Sequence, residues 1–252
     1  MPRQKYTYAQ QQCIRAAGRL SRETAMLSPG ARVGVAVSGG MDSFVLMEVL
    51  RIRQGIVPFP FSLMALHVNP GFEPASHAPL AAWLEDRGIA AHLEVADHGP
   101  RAHSPENRKT SACFYCAMLR RKRLFELCRE YGLSHLAFGH TADDLVSTFF
   151  MNLCQNGRVD GMSMREPFFG GKLLVIRPLM LVEKRCIAKA AKDWKLPVRA
   201  SACPSAGKTR RTQVLDGLAA MAEGHKGMLT KIRAGLVRWQ LSLTAPDGKD
   251  TS

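Results

Sequence analysis

The segment Cys113-Phe114-Tyr115-Cys116 sets two thiols three residues apart where the chain turns helical, and a helix start favours thiolate. Such a C-x-x-C pair suits a redox dithiol, half of a zinc site or half of an iron–sulfur site. It lies far from the first strand–helix turn, unlike a thioredoxin-type dithiol, and the chain has no second C-x-x-C to complete a zinc site. Of the other cysteines, Cys203 in Ser201-Ala202-Cys203-Pro204 has a loop-like, basic context. Cys13, Cys128, Cys154 and Cys186 fall inside helical patterns beside Leu, Phe or Ile and read as small buried apolar residues. Three thiolates suit a [4Fe–4S] cluster with one iron left open for hydrosulfide. With His103 or His140 as fourth ligand they suit zinc equally well.

Two further strings carry chemistry. Ser38-Gly39-Gly40-Met41-Asp42-Ser43 follows an apolar run and opens a helical one. Backbone amides and a helix dipole make an anion site there, and glycines let a phosphate approach the backbone. The string is neither a Walker A loop nor GxGxxG. Read plainly, it is a tight turn with Ser38 or Asp42 as helix cap. Phe138-Gly139-His140-Thr141-Ala142-Asp143-Asp144 places adjacent carboxylates after another strand. They could hold Mg²⁺, or Thr141 and Asp144 could form a capping box.

These groups need a scaffold, and the pattern supplies one. Apolar strand-like runs at 32–37, 62–68, 90–95, 135–138 and 172–176 alternate with helical stretches at 44–50, 77–87, 114–131, 143–154 and 183–195. That alternation predicts an α/β fold, a doubly wound parallel sheet with flanking helices. Helical segments are expected at both ends, over 5–27 and 206–243. The predicted organisation is an N-terminal helical segment (1–29), a central domain (30–200), a C-terminal helical segment carrying Cys203 (201–243) and a disordered tail (244–252).

The chain of 252 residues carries 35 Lys+Arg against 21 Asp+Glu, a formal charge of +14, which calls for an anionic partner such as nucleic acid. Residues 101–129 hold eight Lys/Arg and two acids; residues 199–252 hold nine and four, so both basic zones flank the cysteines. Phe114 and Tyr115 could stack on an extruded base or belong to the core. The best apolar window, 173–182, is broken by Arg177 and Pro178, and the first residues lack a signal-like apolar run. No membrane segment is expected, and the cytoplasm is the expected location.

The string SGGMDS resembles the pyrophosphate loop of the PP-loop ATP pyrophosphatases. Together with VNPGF, CFYCAMLRR, GHTADD, VIRPL and the later Cys203, over residues 30–215, it resembles the tRNA 2-thiocytidine synthetase (TtcA-like) family. The resemblance implies that Ser38, Gly39, Gly40, Asp42 and Ser43 hold the ATP phosphates, with Gly139 and His140 in the same nucleotide site. It implies catalytic roles for Asp42, Asp143 and Asp144 with Mg²⁺, and a [4Fe–4S] cluster on Cys113, Cys116 and Cys203. The implied reaction adenylates the C2 oxygen of a tRNA cytidine and replaces it with sulfur. The expected partners are tRNA, a sulfur donor such as a cysteine desulfurase or inorganic sulfide, and a second copy in a homodimer. Two departures stand out: Met41 where thiolation relatives often carry Lys, and Ala206 where the family commonly has another cysteine. Other readings are a sulfur transferase acting on a tRNA uridine or a small molecule, and a non-catalytic iron–sulfur or zinc protein.

Overall fold

The computed structural model describes residues 5–108, 111–200, 202–207 and 209–244. Lys109, Ser201, Lys208 and the expected tail from residue 245 onward lie outside the described residues.

Six strands form one sheet: β1 (Arg32–Ala36), β2 (Ser62–Asn69), β3 (Ala91–Val95), β4 (His135–Ala137), β5 (Arg165–Phe168) and β6 (Leu173–Ile176). Their order is β3-β2-β1-β4-β6-β5, and every pairing is parallel except β5 with β6. From β1 the chain first builds outward through β2 and β3, then returns to place β4 on the other side of β1. That reversal opens a crevice at the carboxyl ends of β1 and β4, where ligands bind in folds of this type.

Alternation along the strands divides the core in two. Val33, Val35, Ala65 and Ala137 pack with α1 (Tyr8–Glu23), α2 (Met41–Gln54) and α7 (Lys184–Asp193). Leu66, Val68, Leu136 and Val175 pack with Leu124, Leu127 and Cys128 of α5 (Ala112–Glu130) on the opposite face. The expected N-terminal helix therefore belongs to the main core. Thr7 caps it in a capping box with Gln10, and Cys13, Ala17 and Leu20 line its buried side.

Three elements escape the sequence pattern. β5 carries Pro167, which has no N–H to give a ladder; as an antiparallel edge strand it has little need of one. The short helix α4 (His98–Ala102) is too brief for periodicity to reveal. The expected 206–243 helix is split into α8 (Arg210–Met221) and α9 (Met228–Thr244) by a turn containing Gly224 and Gly227, both at positive φ. The remaining two helices, α3 (Ala78–Asp86) and α6 (Ala142–Asn156), lie where the alternation expects them, and α8 and α9 both pack on α6.

Candidate active site

The loop between β1 and α2 is stitched by its own serines. The Ser38 amide donates to Ser43 Oγ at 3.1 Å, Ser43 Oγ donates to the Gly40 carbonyl at 2.8 Å, and the Gly40 amide donates to Ser38 Oγ at 3.3 Å. Gly39 sits at φ +82°, a region a side chain resists. Gly40 caps α2 without a side-chain hydrogen bond, which leaves first-turn amides to meet an anion.

Across the crevice, Gly139 comes so close that a Cβ there would lie 3.0 Å from the Asp42 carbonyl group. Between the two strings lies a cavity of about 260 Å³. Leu66, Val68, Leu124 and Phe138 give it apolar walls, and Arg120, Lys184 and Arg211 bring positive charge to its rim. A second cavity, also about 260 Å³, lies on the other side of the loop and shares Ser38 and Arg120 with the first. A third, about 340 Å³, sits away from both beside Thr7 and Asp193, and its Glu48 carboxylate is already spanned by Arg51 and Arg87.

The acidic helix start does structural work. Asp144 Oδ2 accepts from the Thr141 amide and hydroxyl, both at 2.9 Å, completing a capping box, while Oδ1 takes Arg211 of α8 at 2.8 Å. Burial alone would raise the Asp144 pKa; the neighbouring His140, the Arg211 charge and the Thr141 hydrogen bonds together outweigh it and hold the carboxyl below its ordinary range. Asp143 Oδ2 accepts from the Lys184 amide at 2.7 Å, and Oδ1 pairs with Arg233 of α9 at 2.9 Å. His140 Nδ1 is buried without a partner, and burial, reinforced by Arg177, pushes its pKa down to about 3, so the ring is neutral at physiological pH.

Asp42 is different. Oδ2 lies 3.2 Å from Lys184 Nζ, while Oδ1 is buried with no partner. Burial raises its pKa, and the Asp144 and Asp143 charges add to the rise against the Lys184 ammonium.

Two of the three candidate cysteines lie on α5. Ser111 caps the helix by accepting from the Phe114 amide at 3.3 Å, which puts Cys113 and Cys116 in its first two turns. Burial raises the Cys116 pKa first; Arg120, one turn further along, pulls it down, and the Cys203 and Cys113 thiols push it up again. That mutual influence places the three thiols in one electrostatic neighbourhood. The Arg199 amide, donating to the Gly39 carbonyl at 3.4 Å, ties the segment before Cys203 to the loop. Among the described residues no three His, Cys, Asp or Glu side chains are gathered tightly enough to hold an ion as they stand.

A family model described as a PP-loop domain matches residues 11–202. The tRNA-cytidine(32) 2-sulfurtransferase of Geobacter sulfurreducens is 34% identical over 192 residues, covering 76% of this chain and 75% of its own. The chain belongs to that PP-loop family. The corresponding Geobacter metallireducens sulfurtransferase is 33% identical, covering 76% of this chain and 74% of its own. Among solved structures, the U34-tRNA thiolase NcsA from Methanococcus maripaludis with its [4Fe-4S] cluster is 25% identical with a TM-score of 0.72, covering 92% of this chain and 80% of that one.

Within this PP-loop member, the loop, the Gly139-His140 string and the acids expected from the sequence line or border one cleft. Asp143 and Asp144, expected beside a metal, have their oxygens committed to a helix cap, a backbone amide and two arginines. Cys13 and Cys128 are buried as expected. Cys186 is half-buried and Cys154 exposed, because α6 ends in polar Gln155 and Asn156 beyond the packed core. Phe114 is 60% exposed, so it is no part of the core, while the Tyr115 hydroxyl donates to Glu106 at 3.2 Å. Sequence reasoning missed Arg120, Lys184, Arg199, Arg211 and Arg233 as site residues. Two signals point to some of them: Arg211 opens the Arg211-Thr212-Gln213-Val214 string downstream of Cys203, and the helical register from Cys116 to Arg120 sets both on one face.

The residues fit the two inorganic groups unequally. Three thiols near one another on a helix start and a neighbouring loop are the donor chemistry of an iron–sulfur cluster with one open iron. For Mg²⁺ the fitting atom is the orphaned Asp42 Oδ1, since the other carboxylate oxygens are taken.

Proposed function

We propose that this chain activates the C2 oxygen of a tRNA cytidine with ATP and replaces it with sulfur, at the position its relatives' name gives as 32. The PP-loop domain and the 34% identity to the Geobacter sulfurreducens sulfurtransferase over three quarters of both chains support an ATP-dependent tRNA sulfurtransferase. The observation that carries the assignment is α5 itself: Cys113, Cys116 and Arg120 lie at i, i+3 and i+7 on one face, which runs from the thiols to the nucleotide cleft.

The Ser38–Ser43 amides and the start of α2 would take the β,γ-phosphates, and the adenine would lie against Leu66, Val68 and Phe138. Lys184 and Arg211 would neutralise phosphate charge, Gly139 would leave room for the nucleotide, and neutral His140 would add no charge there. Asp42 would supply the protein oxygen for Mg²⁺, an ion that offsets phosphate charge. Asp143 and Asp144 would reach it only by giving up Arg233 and Arg211, so their main work is to hold α6, α8 and α9 around the cleft. The base oxygen attacks the α-phosphorus, pyrophosphate leaves, and the adenylated oxygen later departs as AMP when sulfur takes its place. A cluster on Cys113, Cys116 and Cys203 would supply that sulfur.

The basic surface suits a tRNA. Arg101 and Arg123 are spent on Asp97, Glu106, Glu94, Glu126 and Glu130, but Arg120, Arg121 and Lys122 make no ion pair among the described residues. The sulfur donor, a cysteine desulfurase or inorganic sulfide, the homodimer and the cytoplasmic location belong to the same proposal; among the described residues no helix is long and apolar enough to cross a membrane.

The test uses anaerobically prepared protein with unmodified tRNA, ATP and sulfide, following 2-thiocytidine, AMP and pyrophosphate. Cys113→Ala and Cys203→Ala should lose thiolation and iron together. Full thiolation by either variant overturns the assignment.

A further inference from the structure

The second cavity is a different kind of site from the nucleotide cleft. It lies between the loop at Gly39 and Gly40 and the segment that follows β2, and its rim includes Arg199 and Ala202, the latter next to Cys203. Its volume of about 260 Å³ has room for one base. Since it meets the cleft at Ser38 and Arg120, anything bound in it adjoins the proposed phosphate site at that junction, while Ala202 on its rim is the chain neighbour of Cys203.

Its lining is chosen for a flat polar ring. Phe72 presents an aromatic wall, held edge-on by His103 at 5.5 Å and backed by Gly99, where any Cβ would strike the ring. Asn69 is not available to a ligand. Its amide nitrogen donates to the Glu73 and Pro74 carbonyls at 3.1 and 3.2 Å, and its oxygen accepts from the Gly71 amide at 2.9 Å.

His67, only 4% exposed, lines the same cavity. Its Nδ1 is 2.7 Å from the Val37 carbonyl, an atom that can only accept, so Nδ1 carries the proton. The other nitrogen, Nε2, is buried and has no partner. Burial, ahead of every other influence, holds the ring's pKa below its ordinary value and keeps it neutral. The fold has therefore fixed one tautomer and left a desolvated acceptor beside an empty, base-sized space. A buried polar atom in that state costs free energy unless a ligand meets it.

We infer that this cavity receives the pyrimidine to be thiolated and that His67 Nε2 accepts a hydrogen bond from its exocyclic amine. The inference rests on the proposed cytidine activity. Cytosine offers an N4 amine donor where uracil offers an O4 acceptor, so a fixed acceptor favours the first and repels the second. The amine and O2 stand on the two ring carbons that flank N3, about 120° apart. A base held by its amine at His67 thus points O2 to one side of that hydrogen bond, and the Ser38–Arg120 junction is where the cavity opens for O2 to meet the phosphates. The base must first leave its stack, as bases do when an enzyme works on the ring.

The test needs no protein variant at first. Anaerobic holoenzyme is given synthetic anticodon stem-loops carrying cytidine, uridine or pyrimidin-2-one riboside, which lacks the amine, at the target position. Thiolation of the pyrimidin-2-one should fall roughly 10- to 100-fold below cytidine, the effect of one unmet buried hydrogen bond, and uridine should fall further. His67→Phe should then bring cytidine down to the pyrimidin-2-one level with the KM for ATP unchanged, and His67→Gln, whose amide oxygen can accept, should recover part of the loss. Equal rates on cytidine and pyrimidin-2-one overturn the inference while the cytidine activity stands. So does a His67→Phe loss that appears in the KM for ATP, which would mark a phosphate site. If wild-type protein leaves cytidine untouched, the activity itself is wrong and the inference falls with it.

Discussion

Lys184 clamps Asp42: its ammonium lies 3.2 Å from Asp42 Oδ2 while its backbone amide donates to Asp143 Oδ2 at 2.7 Å. One residue at the start of α7 thus joins the two strings that the sequence presents separately, the glycine loop and the acidic helix start. The clamp has a chemical side as well as a structural one, because Lys184 lines the nucleotide cleft and stays nearly half exposed to it.

Replacing Lys184 with Met should therefore weaken ATP more than it weakens the fold. A charge-assisted hydrogen bond to phosphate is worth about 1.5–3 kcal/mol, and partial exposure puts this one at the lower end. The KM for ATP should rise about tenfold in pyrophosphate-release assays, with the melting temperature nearly unchanged. An unchanged KM would remove Lys184 from the phosphate site.

Asp42→Asn should trade activity for stability. The folded carboxyl titrates above its unfolded value because burial outweighs Lys184, so its charge is a cost once the pH exceeds that raised pKa. The amide carries no such cost. Melting temperature should rise by about 2–4 °C near neutral pH, the effect of roughly 1 kcal/mol in a chain of this size. The gain should vanish as pH falls below the ordinary carboxylate range, where wild-type Asp42 is itself protonated. A variant that is both inactive and less stable would mean that Asp42 serves the fold first.

How much of this was legible follows from what each feature depends on. The loop, the C-x-x-C pair and the strand–helix alternation are local, and local spacing reveals them. The partners of the acids are not local: Arg211 and Arg233 come from helices 67 and 90 residues away, and nothing in GHTADD announces them. Thr141 and Asp144 supported a cap and a metal ligand equally well as letters; the arginine on Oδ1 decides how the oxygens are used. His67 is invisible in sequence for the same reason. It reads as a polar residue in an apolar strand until the Val37 carbonyl fixes its tautomer.

The Asp144 network gives a prediction with the opposite pH sign. Its carboxyl is held below the ordinary range, so its pairs stabilise the protein above the unfolded pKa and are lost as pH falls through the folded one. Asp144→Ala removes one half of the capping box of α6 and the partner of the partly exposed Arg211, a loss of about 1–2 kcal/mol. Melting should fall by roughly 2–8 °C at neutral pH. Wild type and variant should converge only in stronger acid, once the pH has fallen through the folded pKa beneath the ordinary carboxylate range and the carboxyl that distinguishes them is neutral. Curves that stay parallel through that range would show that the ion pair contributes nothing.

The last prediction concerns the helix face that joins thiols to cleft. Arg120 pulls the Cys116 pKa down against burial and against Cys203 and Cys113. In metal-free, reduced protein, Arg120→Gln removes that pull, so Cys116 should need a higher pH to ionise. Alkylation by iodoacetamide, read at Cys116 by peptide mass spectrometry, should shift its pH profile upward, while buried Cys128 stays unreactive in both proteins. The same substitution removes a cation shared by both cavities, so it should also slow thiolation in the cluster-loaded enzyme. A profile that does not move would mean that Arg120 serves the cleft without sensing the thiols, and that the i, i+3, i+7 face is a coincidence of register.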